Sequence, residues 1–134
     1  MKHVVVGIII KSYKSSKKYL LISSKKNFGS FTGYYYPPGG HIKKNEDEIT
    51  ALKRELREEL ELRVTRFKKV HSTKGDVPNQ MTHWFFCEVE SYRIEKNNDE
   101  INDANYFTKE EIMRMKIWPS TLDFLEKYVF NANN

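Results

Sequence analysis

Short apolar runs alternate with polar segments along most of the chain. Residues 4–10 and 19–23 are rich in strand-forming side chains and are separated by a lysine- and serine-rich turn, which predicts a β-hairpin. The first run is too short to span a membrane and is interpreted as a buried strand. Further strands are predicted by the same criteria at residues 34–36, 64–72, 82–92 and 105–107.

A helical period replaces this pattern after residue 45. Aliphatic residues then recur at spacings of three and four and predict one apolar stripe on an α-helix: Ile49, Leu52, Leu56 and Leu60. Asn45 is a suitable N-cap for this helix. Two more helices are predicted at residues 109–115 and 120–130. Mixed strands, one central helix and C-terminal helices predict an α/β sandwich that forms a single domain over residues 1–134.

The distribution of charge is more informative than the net charge of +5. Residues 1–44 contain nine lysines and no acid, whereas residues 46–62 contain seven acids and three bases, a net charge of −4. A basic body attracts phosphates or nucleic acid, and a compact acidic patch attracts a cation. Together they suit a metal–polyphosphate substrate, although charge alone favours an ordinary lysine-rich surface around a solvated helix.

The acidic helix presents three glutamates on one side. At about 100° per residue, Glu55, Glu58 and Glu59 fall within an arc of roughly 100° beside the apolar stripe. Carboxylates at the edge of a core are costly unless a cation compensates them, and Mg²⁺ or Mn²⁺ prefers such oxygen ligands. The alternative is an ordinary surface helix in which Arg54 and Glu58 form an ion pair at i, i+4.

The spacing of polar residues around this helix resembles the Nudix box, G-x5-E-x7-R-E-U-x-E-E-x-G-U, where U is aliphatic. Residues 40–62 match every fixed position except one, because Glu61 stands where the family has glycine. Pro38-Gly39-Gly40 is similar to the family's P-G-G turn before the box. The resemblance implies a Nudix-type α/β/α sandwich with a mixed β-sheet and a Mg²⁺-dependent hydrolase, with Mn²⁺ as an alternative cofactor.

The resemblance also implies roles for individual residues of the box. Four groups would be metal ligands: Glu55, Glu58, Glu59 and the carbonyl oxygen of Gly39. Arg54 and Glu46 fit the family's supporting pair, in which the arginine positions the first catalytic glutamate. At Glu61, a left-handed backbone would cost on the order of 1 kcal/mol, or the helix would run on further.

A further acid from a distant loop often joins the metal site or acts as general base in this family. Among Asp99, Glu100 and Asp103, Glu100 is the preferred candidate, and a solvated turn is the alternative. Cys87 and Ser72 lack an evident base partner, so nucleophilic catalysis is not expected. The single cysteine excludes a disulfide within the chain and is compatible with a reducing cytoplasm.

Candidates for substrate contacts lie outside the acidic helix. Lys25 and Lys26 could hold phosphates, although an abundance of lysines favours ordinary surface residues. His41 could face substrate, and a structural histidine is the equal alternative. Aromatic side chains could stack on a nucleobase for about 1–3 kcal/mol each, and the candidates are Tyr35, Trp84 and Trp118. Trp84 alternates with core positions and could equally serve packing.

Trp118-Pro119 is similar to a tryptophan-proline pair in MutT-like enzymes that act on oxidised purine triphosphates. In those enzymes acids follow the pair and read the purine edge. Here Ser120 and Thr121 follow it, with Asp123 further on. We therefore expect looser purine discrimination than in a dedicated 8-oxo-dGTP enzyme.

These features predict a Mg²⁺-dependent pyrophosphohydrolase that converts a nucleoside triphosphate, intact or oxidised, to the monophosphate and pyrophosphate. The alternatives are hydrolysis of RNA 5′ ends, ADP-ribose or dinucleoside polyphosphates, a Nudix-fold nucleotide-binding module without turnover, and a nucleic-acid-binding domain. The expected partner is a nucleotide substrate. Neither a membrane nor stable nucleic-acid binding is expected, and the sequence predicts no oligomeric state.

Overall fold

The computed structural model describes residues 1–131 as two β-sheets with helices packed on both sides. The strands are β1 (Lys2–Ile8), β2 (Ile10–Tyr13), β3 (Ser16–Ser24), β4 (Tyr35–Tyr36), β5 (Gly39–His41), β6 (Val64–Lys74), β7 (Gln80–Val89) and β8 (Ile101–Phe107). The helices are α1 (Glu48–Leu60), α2 (Lys109–Ile112) and α3 (Pro119–Phe124), and α3 continues as a π-helical segment, Leu125–Phe130. Within residues 1–131, no helix is both long and apolar enough to cross a membrane.

The two sheets have different pairings. In the first sheet the strand order is β5-β1-β7-β6, and β1 runs parallel to β7 while the other pairs are antiparallel. In the second sheet β3 pairs with β8 along one edge and with β2 and β4 along the other, all antiparallel. The predicted mixed sheet is confirmed.

Alternate residues of the central strands face two separate cores. The core against α1 contains Val5, Leu20, Ile22 and Phe85, whereas the core against the C-terminal helices contains Val6, Leu21 and Trp84. Strands that are buried on both faces read as continuous apolar runs, which is the pattern at residues 4–10. The arrangement of helices on both sides of the strands confirms the predicted α/β/α sandwich.

The predicted hairpin is wrong in its first strand. β1 ends at Ile8 and belongs to the first sheet, and the strand that pairs with β3 is β2, with Ile10 opposite Tyr19. Because the apolar run continues without a break through Ile9, which is buried against α1, the sequence carries no sign of the change of sheet.

Helix α1 begins later than predicted and ends in a left-handed residue. Asp47 is the N-cap, because its Oδ1 accepts a hydrogen bond from the Thr50 N–H at 2.8 Å. Asn45, the predicted cap, lies in the preceding loop with φ of 71°. Glu61 ends the helix with φ of 54° and ψ of 34°, and its N–H donates to the Arg57 carbonyl at 2.9 Å. The helix therefore does not run on past the position of the motif glycine.

Candidate active site

A cleft of about 330 Å³ opens across the first sheet. Val4 and Val6 of β1 and Thr82 of β7 line its middle. At one end lie residues of β5, α1 and the loops nearby: Lys26, Gly39, Gly40, His41, Glu55, Glu59 and Glu100. At the other end lie residues from the β6–β7 turn and the start of α3: Asp76, Trp118, Ser120 and Thr121.

The two glycines of β5 let its backbone pass close to both β1 and α1. A Cβ on Gly39, whose φ is 155°, would lie 1.9 Å from the Val5 carbonyl oxygen. A Cβ on Gly40 would lie 2.6 Å from the carboxyl group of Glu55. The Gly39 N–H donates to Glu59 Oε1 at 3.0 Å. Both carboxyl groups are thus held against a stretch of backbone that no side chain covers.

Glu59 is an acid in a buried environment. Only 7% of the residue is exposed. Burial raises the pKa of Glu59 to about 9, the charge of Glu55 acts in the same direction, and the hydrogen bond from Gly39 opposes both. Glu59 therefore holds a proton at neutral pH unless a cation compensates its charge.

Arg54 joins the acids of the helix to the loop before it. Its guanidinium donates to both oxygens of Glu46, at 2.6 Å and 2.9 Å, and to the His41 carbonyl at 3.1 Å. It also donates to Glu55 at 2.8 Å and to Glu58 at 3.2 Å. The hydrogen bonds from Arg54 lower the pKa of Glu46 to about 2. The structure thus brings the predicted pair together and places Arg54 where it orients Glu55.

Of the remaining predicted metal ligands, one lies outside the cleft and one lines it. The Glu58 side chain lies outside the cleft beside Arg54 and is 47% exposed. Glu100 lines the cleft, and its carbonyl accepts the Lys25 N–H at 2.9 Å. The other acids of that loop lie elsewhere, since Asp103 accepts the Tyr35 hydroxyl at 2.5 Å and Asp99 does not line the cleft. Among residues 1–131, no group of three or more His, Cys, Asp or Glu side chains is arranged to hold a metal ion.

The polar candidates for substrate contacts separate into two groups. Lys26 and His41 line the acidic end of the cleft. The Lys25 ammonium instead donates to the carbonyl oxygen of Asn98, which ties the loop carrying Glu100 to β3. Lys25 therefore has a structural partner outside the cleft.

The aromatic candidates are also separated. Trp84 is 2% exposed, stacks on Phe124 with ring centroids 4.0 Å apart, and donates from Nε1 to Thr73 Oγ1 at 2.7 Å. Trp84 lines the cleft, but Phe124 covers one ring face and the residue is almost fully buried, so its environment is that of a packing residue. Tyr35 packs its ring edge-on against Phe107 and does not line the cleft.

Trp118 lines the cleft and is only partly buried. Its ring stacks on Phe31 at 4.7 Å, and Phe28 packs edge-to-face against it at 5.4 Å. Its Nε1 is buried and finds no hydrogen-bond partner within residues 1–131. The two phenylalanines, which carried no signal in the sequence, fix the orientation of this indole.

Tyr36 is a cleft residue that the sequence did not single out. It lines the acidic end, and burial together with the nearby charge of Glu59 raises its pKa to about 12. It remains a neutral hydrogen-bond donor at neutral pH. Strand β4 consists only of Tyr35 and Tyr36. Two residues are too few to show an alternation of buried and exposed positions, so the sequence did not indicate which tyrosine faces the cleft.

The expectation that Ser72 lacks a base partner is wrong. Ser72 Oγ lies 2.8 Å from His83 Nδ1, and His83 Nε2 lies 2.9 Å from His3 Nδ1. Burial lowers the pKa of His83. These three residues do not line the cleft.

A model of the NUDIX domain matches residues 1–128. The chain belongs to the Nudix family. This confirms the resemblance seen in residues 40–62 and extends it over most of the chain.

Individual relatives support the same assignment. A segment of 66 residues is 39% identical to the 8-oxo-dGTP diphosphatase of Buchnera aphidicola subsp. Schizaphis graminum. That match covers 49% of this chain and 47% of the relative, so the matched region spans about half of that protein's length.

Solved Nudix structures share the fold at low sequence identity. The NUDIX domain of Shewanella oneidensis NrtR, solved with ADP ribose, superposes with a TM-score of 0.79 at 15% identity, covering 92% of this chain and 83% of that chain. A MutT structure from work on the Aliivibrio salmonicida and Vibrio cholerae proteins superposes with a TM-score of 0.76 at 17% identity, covering 96% of each chain.

Proposed function

We propose that this Nudix protein is a Mg²⁺-dependent pyrophosphohydrolase that cleaves a nucleoside triphosphate, intact or oxidised, to the monophosphate and pyrophosphate. The observation that carries the proposal is the packing of Glu55 and Glu59 against Gly39 and Gly40, at one end of a cleft whose other end presents Trp118. The similarity to an 8-oxo-dGTP diphosphatase supports a purine triphosphate as substrate.

The acidic end of the cleft fits a hard divalent cation. It offers the oxygen donors of Glu55, Glu59 and Glu100, and a Cβ on Gly40 would fill the space in front of Glu55. The groups that would hold Mg²⁺ or Mn²⁺ are Glu55, Glu59, Glu100 and the Gly39 carbonyl oxygen. Glu58, the residue before Glu59 in α1, lies outside the cleft beside them. When bound, the ion would activate water and neutralise charge on the bridging phosphates.

Residues around these acids have positioning roles in the proposed reaction. Arg54, held by both oxygens of Glu46, keeps the Glu55 carboxylate directed at Gly40. Lys26 supplies a positive charge at the same end of the cleft and would attract phosphate oxygens. Trp118, fixed by Phe28 and Phe31, would contact the base through the ring surface that the phenylalanines leave free.

The size of the cleft supports a single nucleotide. A volume of about 330 Å³ lies at the lower end of the range for small-molecule sites, roughly 300–1,000 Å³. This favours a mononucleotide over a dinucleoside polyphosphate.

We also propose a cytoplasmic location, because the only cysteine, Cys87, is a buried free thiol that needs no oxidising compartment.

A nucleotide panel tests the proposal. Release of pyrophosphate is measured with dNTPs, 8-oxo-dGTP, ADP-ribose, a dinucleoside polyphosphate and 5′-triphosphate RNA, with Mg²⁺ and with chelator. We expect turnover of a triphosphate that chelator abolishes, and a loss of at least about 100-fold in kcat for Glu59→Gln. Glu90→Gln, an exposed acid paired with Arg63, is the matched control and should retain activity.

Two results would contradict this function. Wild-type turnover in Glu59→Gln would exclude the acidic end as the reactive site. A strong preference for ADP-ribose or a dinucleoside polyphosphate would replace the substrate class while leaving the acidic site in place.

A further inference from the structure

An aspartate from a distant turn lies at the end of the cleft that is opposite the acids. Asp76 follows β6, and its Oδ2 accepts hydrogen bonds from both the N–H and the hydroxyl group of Ser120, at 3.0 Å and 2.7 Å. Ser120 lies two residues after Trp118, at the start of α3. Both residues line the cleft. The two hydrogen bonds from Ser120 therefore fix one oxygen of the Asp76 carboxylate.

The second oxygen, Oδ1, is available to a ligand. Within residues 1–131, no hydrogen bond or ion pair engages it, and Asp76 is an exposed residue. Ser120 donates both of its protons to Oδ2, so the orientation of the carboxylate is set by the protein before any ligand arrives. An ionised carboxylate accepts hydrogen bonds and donates none.

The strand order sets the distance between the two ends of the cleft. From Gly40 on β5 the cleft crosses β1 at Val4 and β7 at Thr82, and it reaches Asp76 in the turn between β6 and β7. Two to three interstrand spacings separate these ends, which corresponds to roughly 10–14 Å. This is the scale of an extended nucleotide, with its phosphates at the acidic end and the edge of its base at Asp76.

We propose that Asp76 is a specificity-determining residue that selects nucleobases carrying an exocyclic amino group. This inference rests on the proposed function. The free Oδ1 accepts a hydrogen bond from such an amino group and repels a carbonyl oxygen in the same place. A hydrogen bond to an ionised acceptor is stronger than one between neutral groups, so a base that lacks the amino donor binds less tightly at this position.

This position changes the expectation drawn from the sequence. The absence of acids directly after Trp118-Pro119 predicts loose discrimination of the base. The structure brings Asp76 to the same place from 44 positions earlier in the chain, where it is bonded to Ser120. An acidic acceptor is therefore present at the edge of the base site, although it comes from a different element.

The test compares bases that carry an exocyclic amino group with related bases that lack it. The kinetic constants of wild type and variants are measured for the pairs dGTP with dITP and dCTP with dUTP. Asp76→Asn is the informative variant, because Ser120 would hold the amide oxygen and leave the amide NH₂, a donor, at the free position. Asp123→Asn is the matched control, an exposed aspartate of α3 that is paired with Lys127 and lies outside the cleft.

In the wild type we expect the amino-bearing member of at least one pair to be preferred by about 10- to 100-fold, chiefly through KM. Asp76→Asn should abolish or invert this preference, while Asp123→Asn keeps it. The inference is overturned if Asp76→Asn retains the wild-type ratios in both pairs, or if the wild type shows no preference in either.

A second measurement does not depend on turnover. Binding of dGMP against dIMP, and of dCMP against dUMP, is followed by calorimetry with the same proteins and should show the same change in preference. If no triphosphate is hydrolysed but these titrations show the preference, the proposed reaction fails and the role of Asp76 stands. If neither the kinetics nor the titrations respond to Asp76→Asn, the role of Asp76 is wrong.

Discussion

Glu61 shows how a single residue can depart from a family pattern without changing the site. It occupies the left-handed conformation that glycine adopts more easily, and α1 still ends there with its backbone hydrogen bond to Arg57. The three glutamates lie upstream of this position and are not displaced by it. The departure therefore affects stability and leaves the positions of these glutamates unchanged.

Replacing Glu61 with glycine should stabilise the fold. The substitution removes the clash of a Cβ in a left-handed residue, and we expect the free energy of unfolding to rise by about 0.5–1 kcal/mol. Urea denaturation measures this difference. Glu61→Ala is the control, because it removes the charge and keeps the Cβ. Equal midpoints for the glycine and alanine variants would show that the backbone at Glu61 is not strained.

The pair of Glu46 and Arg54 predicts a dependence of stability on pH. The pKa of Glu46 is about 2 in the folded protein, below its usual value of 4.5. The folded state therefore binds this proton less tightly than the unfolded state, and the stabilisation is complete above pH 4.5 and is lost as the pH falls towards 2. Glu46→Gln cannot titrate. The difference in unfolding free energy between wild type and this variant should shrink on acidification, and a constant difference would contradict the pairing.

At the scale of elements, the contact between β5 and α1 builds the acidic end of the cleft. Gly39 lies against the backbone of β1, whereas Gly40 lies against the Glu55 side chain. The two glycines are adjacent in the chain but face different obstacles. Their substitutions should therefore have different consequences.

Gly40→Ala should damage catalysis more than folding. Its Cβ would displace the Glu55 carboxyl group, which can move, and a displacement of about 1 Å at a reacting group lowers kcat by roughly 100-fold. Gly39→Ala would place its Cβ on the Val5 carbonyl oxygen, which cannot move without breaking the sheet, so this variant should lose most of its folded population. Thermal melts and kcat of both variants check this contrast. Normal activity in Gly40→Ala would show that the position of Glu55 is unimportant.

Local patterns in the sequence predicted the local parts of this structure. The period of the apolar stripe identified α1, and the motif at residues 40–62 identified Arg54, Glu46 and the glutamates around them. Features that depend on contacts between distant segments carried no such signal. The meeting of Asp76 with Ser120 and the stacking of Trp84 on Phe124 are set by how β6, β7 and α3 pack together.

At the scale of the whole molecule, one sheet connects the two ends of the cleft. The acidic end depends on the core between the sheets and α1, and the aromatic end depends on the second core, beneath α3. The cleft crosses β1 and β7, which pair in parallel at the centre of this sheet. A ligand that spans the cleft would therefore contact elements from both sides of the sandwich.

Binding of a divalent metal to the acidic end is the central claim, and thermal unfolding during a Mg²⁺ titration tests it most directly. Millimolar Mg²⁺ over a weak site should stabilise the wild type by about 1–2 kcal/mol, because only the folded state assembles the ligands. Glu59→Gln should be at least as stable as the wild type without metal, since it removes a buried acid beside Glu55, and it should gain little from Mg²⁺. A wild-type melting temperature unchanged by Mg²⁺ and Mn²⁺, with and without nucleotide, or an equal gain in Glu59→Gln, would contradict the account.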